Sequence, residues 1–194
     1  MRILLASNNL GKVKEYLDIL SPRGIEILTM KDLGIEIDVE ENGKTYEENA
    51  FIKAKALRPY TDLPIIADDS GLEVLELDGF PGLFTARFAS SLGGYPNAFD
   101  ELNKRLEGKK KDARFVCHIA YLPEKSEEAH FFEGICEGFI LDKAVGENGF
   151  GYDPIFFSKE LNKPFGTLDE EIKNRYSHRG KAASKLLDFL SKGL

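Results

Sequence analysis

Two adjacent carboxylates give the clearest chemical signal in the sequence. Asp68 and Asp69 follow the apolar run Ile65–Ala67 and precede Ser70 and Gly71. Ligands of α/β proteins bind beyond the carboxyl ends of strands, and aspartates at such an end suit Mg²⁺ and phosphate chemistry. A turn stabilised by Asp and Ser side chains explains the same residues without a ligand. Both interpretations predict that the strand ends just before Asp68.

A second candidate site is the segment SNNLGK, residues 7–12, directly after the first predicted strand. A polar, glycine-containing turn that opens a helix offers backbone N–H groups and a partial positive charge to an anion. Lys12 lies in the first helical turn, where a cation opposes the dipole, and this favours a phosphate ligand. The alternative is that Asn8 or Asn9 only caps the helix. The GxxxxGK[ST] spacing of a P-loop is absent.

Other charged and aromatic residues have weaker patterns. Glu40 and Glu41 precede a predicted helix. From this position a carboxylate can either reach Asp68 and Asp69 or belong to a solvated acidic loop, and spacing alone favours the solvated loop. The aromatics of GENGFGYDPIFF, residues 146–157, either stack on a planar base or enter the core. His178 and Arg179 lie at a predicted helix start, where cations are disfavoured, so a ligand is favoured over a solvated face.

Composition limits the function classes. The 194 residues carry a formal net charge of −7, which argues against a general nucleic-acid binder but not against an anionic small ligand. Two distant cysteines indicate neither a disulfide scaffold nor a zinc ribbon. We find no signal peptide and no apolar run of membrane-spanning length, and therefore predict a cytoplasmic protein that binds no membrane.

The predicted elements indicate an α/β fold. Strands at 2–6 and 25–30 flank a helix and form a parallel β-α-β unit, whereas 113–122 and 129–141 are typical of an antiparallel pair. Capping boxes at Thr45–Glu48 and Thr167–Glu170 predict two helix starts. Further helices are predicted at 97–108 and after Ser177. We therefore expect a mixed sheet with flanking helices.

The order of the motifs resembles a known family. SNNLGK, EENGKTYEENA, ADDSGLEV, GFPG, GFGYDPIF and SHRGKA follow one another between residues 3 and 190. Together they resemble the inosine/xanthosine triphosphate pyrophosphatases. A small departure is Asn8, where many relatives have glycine. The resemblance implies one domain, residues 1–194, that is elongated and two-lobed with a central active-site cleft, and that forms a homodimer.

The resemblance also implies a reaction and a set of residues. The family cleaves ITP, dITP or XTP between the α and β phosphates with Mg²⁺ as cofactor, and releases the monophosphate and pyrophosphate. Glu40 and Asp69 would bind the metal, with Glu41 as the open alternative to Glu40, and Asp69 would also act as general base. The substrate-binding residues would be Ser7, Asn8, Asn9, Leu10, Gly11, Lys12, Lys53, Ser70, Phe150, Gly151, Tyr152, Asp153, Lys173, His178 and Arg179.

Two rival functions remain open at this point. The first is a related pyrophosphatase that acts on pyrimidine or modified bases. The second is a nucleotide sensor without catalytic activity, although a sensor has no need of a base and metal pair such as Asp69 and Glu40.

Overall fold

The protein is described by a computed structural model over residues 1–193. The strands are β1 (Arg2–Leu5), β2 (Glu26–Thr29), β3 (Ile65–Val74), β4 (Asp112–Leu122), β5 (His130–Ile140), β6 (Phe156–Ser158) and β7 (Lys163–Pro164). The helices are α1 (Leu10–Leu20), α2 (Tyr46–Leu57), α3 (Thr85–Ser91), α4 (Tyr95–Arg105), α5 (Glu170–Tyr176) and α6 (His178–Ser191). No helix within the described chain has the length and apolarity required to cross a bilayer.

The described strands form one mixed sheet in the order β2-β1-β3-β4-β5-β6-β7. β1 pairs in parallel with β2 and β3, whereas β6 pairs antiparallel with β5 and β7. The predicted parallel opening unit and the predicted α/β fold with a mixed sheet are therefore confirmed. The strands predicted at 113–122 and 129–141 are also neighbours in the sheet.

The prediction that a strand ends before Asp68 is wrong. β3 continues through both aspartates to Val74, because Leu72 and Val74 also point into the core. Its parallel neighbour β1 is shorter, and pairs with β3 only through Leu4 with Ile65 and Leu5 with Ile66. The two aspartates therefore lie beyond the carboxyl end of β1, although they lie within β3.

The chain divides into two compact units. The first comprises residues 1–69, 117–134 and the described residues from Arg179 onward; the second comprises 70–116 and 135–178. In the first unit, alternation along β1 sends Ile3 and Leu5 into a core with α1 and α6, and Leu4 into a core with α2. The core of the second unit includes Phe115, Phe156, Phe165 and residues of α3 and α4. The predicted single domain with a central cleft stays a prediction.

Helix boundaries agree with the sequence in part. Thr45 caps α2 and accepts a hydrogen bond from the Glu48 amide at 3.1 Å, as predicted. The Thr167 capping box is wrong: the Thr167 hydroxyl donates to the Pro164 carbonyl, and α5 begins after Asp169. The helix predicted at 97–108 spans Tyr95–Arg105 instead. Cys117 and Cys136 are both free thiols and buried.

Arg58 holds the connection between α2 and β3 in place. Its guanidinium donates to the carbonyl oxygens of Thr61 at 3.0 Å, Leu63 at 2.9 Å and Pro123 at 3.2 Å. These carbonyls belong to the segment that leads into β3 and to the residue after β4. Arg58 therefore fixes where β3 begins, and with it the position of the two aspartates.

We expect Arg58→Ala to lower the free energy of unfolding in urea by about 2–3 kcal/mol, because three carbonyls lose a charged donor. Arg23→Ala is the matched control, since Arg23 is exposed on the first unit, and it should change the value by less than about 0.5 kcal/mol. Equal effects of the two substitutions would contradict this role of Arg58.

Candidate functional site

The start of α1 is built by its own side chains. Asn9 is the N-cap, and its side-chain oxygen accepts from the Lys12 amide at 3.1 Å. The Ser7 hydroxyl accepts from the Asn9 amide at 3.2 Å. The interpretation of Asn9 as a helix cap is therefore confirmed. Asn8 and Leu10 are exposed, Gly11 is half-buried, and phosphate binding by residues 7–12 stays a prediction.

Asp68 is the centre of a buried ionic network in the first unit. One of its carboxylate oxygens lies 3.1 Å from the Lys12 ammonium and 3.1 Å from the Arg179 guanidinium. Arg179 also bonds to Glu15, so its guanidinium bridges two carboxylates. Asp68 is 1% exposed and Arg179 is 2% exposed. Charges buried to this degree are stable only when they are paired, as these are.

Asp69, the next residue, has a different environment. One of its oxygens accepts a hydrogen bond from the Asn49 side-chain amide at 3.0 Å, and the residue is 7% exposed. Lys53 lies nearby, where its ammonium donates to the Asp68 backbone carbonyl at 2.5 Å and lies 3.2 Å from the Glu41 carboxylate. The Asp69 carboxylate is therefore buried near the charges of Lys53, Lys12 and the acidic side chain of Glu41.

These environments move the pKa values of the two aspartates in opposite directions. Burial alone would raise the pKa of Asp68, but the charges of Lys12, Arg179 and Lys53 outweigh it and hold that pKa well below its ordinary value. Burial raises the pKa of Asp69, and the charges of Lys53 and Lys12 offset this effect only in part. Paired carboxylates with separated pKa values are typical of acid–base sites, in which one stays ionised and the other exchanges protons.

Glu41 is the acidic residue close to this pair. Its carboxylate contacts Lys53, and its charge contributes to the raised pKa of Asp69. Glu40 is exposed. Because the Glu41 charge disfavours ionised Asp69, a divalent cation held by both carboxylates would relieve this repulsion.

A complete metal cage is absent from residues 1–193, since no group of three or more His, Cys, Asp or Glu side chains is placed to hold a metal ion. Mg²⁺ does not require one, because it is commonly held by one or two carboxylates together with substrate phosphates and water. Asp69 and Glu41 are therefore chemically suitable ligands for an ion of this kind.

Asn49 is a site residue that the sequence analysis missed. It is 3% exposed and lies in α2 among buried Tyr46, Ala50 and Ala54. A polar residue on the apolar side of a helix is the signal that identifies it, because a buried amide requires hydrogen-bond partners.

The second unit contains a separate cluster around Phe150. Asp153 accepts from the Phe150 backbone amide at 2.8 Å and from the Lys173 ammonium at 2.5 Å. The same ammonium lies 4.5 Å from the centre of the Phe150 ring. Gly149 has φ of +77°, and a Cβ atom there would lie 2.1 Å from the Asp153 carboxylate, so only glycine fits. Phe150 is half-buried, and its loop is held by these contacts with Asp153 and Lys173.

Other predicted substrate residues of the second unit are mostly buried. Tyr152 lies in the core and donates to the Thr85 carbonyl at 3.0 Å. His178 stacks on Phe115, with 4.7 Å between the ring centres. Ser70 and Gly151 are half-buried. Contacts of these residues with a nucleotide stay predictions.

Comparisons with known proteins identify the family. The sequence profile of the Ham1 family matches residues 3–189, and the chain belongs to this family. It is 47% identical to the dITP/XTP pyrophosphatase of Leptospira interrogans, over 97% of this chain and 96% of the relative. It is 44% identical to the enzyme of the same name from Clostridium perfringens, over 97% of both chains.

A solved structure supports the fold. The Staphylococcus aureus Ham1 protein superposes with a TM-score of 0.87 at 37% identity, and the match covers 100% of both chains. The family resemblance described from the sequence motifs is therefore confirmed.

The opposite pKa shifts predict opposite effects on stability at pH 7. Ionised Asp68 stabilises the folded protein at pH 7, and this contribution is lost only as the pH falls through its lowered folded-state pKa. Asp68→Asn should therefore lower the free energy of unfolding, measured in urea, by about 3–5 kcal/mol. The folded protein holds the Asp69 proton more tightly than the unfolded chain does, so ionised Asp69 costs stability at pH 7. Asp69→Asn should therefore be neutral or stabilising, and an equal loss in both variants would contradict this assignment.

Proposed function

We propose that this chain hydrolyses the non-canonical purine nucleoside triphosphates ITP, dITP and XTP to the monophosphate and pyrophosphate. The observation that carries the proposal is the pair Asp68 and Asp69, in which one carboxylate is fixed as an anion among cations and the other has a raised pKa. The name dITP/XTP pyrophosphatase, borne by relatives at 44% and 47% identity, supports the substrate class.

The triphosphate is assigned to the start of α1 and to two lysines. Residues Ser7–Lys12 lie at the positive end of the helix dipole, which favours an anion there, although the Asn9 and Lys12 amides already donate to the side chains of Ser7 and Asn9. Lys12 and Lys53 are half-buried in the first unit, with side chains 15% exposed. Partly buried ammonium groups interact strongly with phosphate, because the surrounding dielectric is low. They also offset the charge that develops on the leaving pyrophosphate.

Asp69 is assigned as the general base. It accepts a proton from a water molecule, whose oxygen attacks the α-phosphorus. The bond between that phosphorus and the bridging oxygen to the β-phosphate breaks, and pyrophosphate leaves. When bound, Mg²⁺ supplies charge neutralisation at the phosphates and lowers the pKa of coordinated water. Asp69 and Glu41 would hold it; we prefer Glu41 to Glu40 because the Glu41 carboxylate contacts Lys53.

Base recognition is assigned to Phe150 and His178. Phe150 is the residue proposed to stack on the purine, since its loop is held by Asp153 and Lys173. A donor to the 6-oxo group favours hypoxanthine and xanthine over adenine, whose amino group would leave that donor unpaired. We assign this donor to His178, because the Arg179 guanidinium is already bonded to Asp68 and Glu15. Homodimerisation and a cytoplasmic location complete the proposal.

The reaction can be tested by measuring pyrophosphate and phosphate release from ITP, dITP, XTP, GTP and ATP, with Mg²⁺ and with EDTA. We expect metal-dependent pyrophosphate release, with ITP, dITP and XTP far ahead of ATP. Free phosphate as the product would contradict attack at the α-phosphorus. A preference for pyrimidine triphosphates would favour the first rival function, and tight binding without turnover would favour a nucleotide sensor.

Two substitutions test the residue roles. Asp69→Asn should abolish turnover while the protein stays folded, because Asn cannot accept the proton. Lys12→Ala should weaken triphosphate binding much more than monophosphate binding in calorimetry. Lys14→Ala is the matched control on the same helix, since Lys14 is exposed and pairs with Asp18. Turnover by Asp69→Asn, or equal effects of the two lysine substitutions, would overturn these assignments.

A further inference from the structure

Both ends of the buried Asn49 side chain are bonded. Its oxygen accepts a hydrogen bond from the Gly43 backbone amide at 2.8 Å. Its amide nitrogen donates to the Asp69 carboxylate at 3.0 Å. Asn49 therefore joins the loop at 40–45, which precedes α2, to the middle of β3.

The loop packs tightly against this amide. A Cβ atom added to Gly43 would lie 2.7 Å from the Asn49 oxygen and 2.8 Å from Glu48, so the close approach requires glycine. The next amide in the loop, that of Lys44, donates to the Glu48 carboxylate at 2.6 Å. Two consecutive loop amides, those of Gly43 and Lys44, are thus held by α2, and Glu41 precedes the first of them by two residues.

We infer that Asn49 is a positioning residue: it holds the Asp69 carboxylate in one orientation and, through Gly43, keeps the loop of Glu41 beside it. This inference rests on the proposed function, in which Asp69 and Glu41 act together. A carboxylate that must both receive a proton and face a cation has to be held in one rotamer, because small misplacements of reacting groups are costly. The amide of Asn49 supplies that constraint at Asp69.

Two substitutions separate the two hydrogen bonds. Asn49→Asp keeps an acceptor for the Gly43 amide but loses the donor to Asp69. Asn49→Leu has similar size and loses both bonds. We expect both variants to lower kcat on dITP by about 10- to 100-fold, the usual effect of losing a hydrogen bond to a charged group, with KM changed by less than about threefold. A lower kcat with a nearly unchanged KM distinguishes misplacement of the reacting group from loss of substrate binding.

Hydrogen–deuterium exchange measured by NMR provides a readout that does not depend on turnover. The Gly43 amide should exchange faster in Asn49→Leu and at an unchanged rate in Asn49→Asp. Asn103→Leu is the matched control, since the Asn103 side chain also bonds at both ends, to the Leu141 carbonyl and to the Lys111 ammonium. This control should retain kcat within about twofold.

The outcomes are distinct. A kcat retained within twofold by Asn49→Asp, or lost equally by Asn103→Leu, would overturn the inference, as would unchanged Gly43 exchange in Asn49→Leu. If the unmodified chain hydrolyses none of the triphosphates, the proposed function fails instead. The exchange rates of Gly43 then decide by themselves whether Asn49 holds the loop.

Discussion

The buried ionic contacts of Asp68 determine how the rest of the candidate site can work. Its carboxylate forms ion pairs with Lys12 at the start of α1 and with Arg179 at the start of α6. Its backbone carbonyl accepts a hydrogen bond from Lys53 of α2. Three helices that are distant in sequence are therefore tied to one residue of β3. Because Asp68 is almost completely buried, loss of its charge would remove, in a low dielectric, the carboxylate that contacts Lys12 and one of the two carboxylates that Arg179 bridges. The cations that suit a polyphosphate are thus held in place before any substrate arrives.

The same network explains why the neighbouring carboxylate can have a different role. At Asp69 burial raises the pKa, the charges of Lys53 and Lys12 offset this only in part, and the charge of Glu41 raises it further. At Asp68 the charges of Lys12, Arg179 and Lys53 outweigh burial and lower the pKa. Adjacent residues of a strand point to opposite faces of the sheet, so one strand can present a fixed anion and a proton acceptor at consecutive positions. β1 is short and ends before it reaches the level of Asp68 and Asp69 in β3. The two aspartates therefore lie beyond the carboxyl end of a parallel strand, which is where α/β proteins bind ligands.

The sequence was sufficient for the features that depend on local patterns. The parallel unit of β1 and β2, the Thr45 cap and the helix that begins after Ser177 follow from periodicity and capping chemistry, and the order of motifs indicates the family. Features that depend on distant partners could not be predicted. The continuation of β3 past Asp69 depends on where Leu72 and Val74 pack, and the pairing of Arg179 with Glu15 joins residues at opposite ends of the chain. At Asn49 the sequence shows only that a polar residue lies among apolar ones. Its hydrogen-bond partners can be identified only from the folded structure.

The most direct test of this account is the titration of the two carboxyl carbons by ¹³C NMR in protein labelled at aspartate. We predict that the signal of Asp69 titrates at a pH above the ordinary range for aspartate, while the signal of Asp68 remains that of an ionised carboxylate throughout the same interval. Titration of both groups in the ordinary range, or of Asp68 above Asp69, would contradict the division into a fixed anion and a proton acceptor on which the proposed chemistry depends.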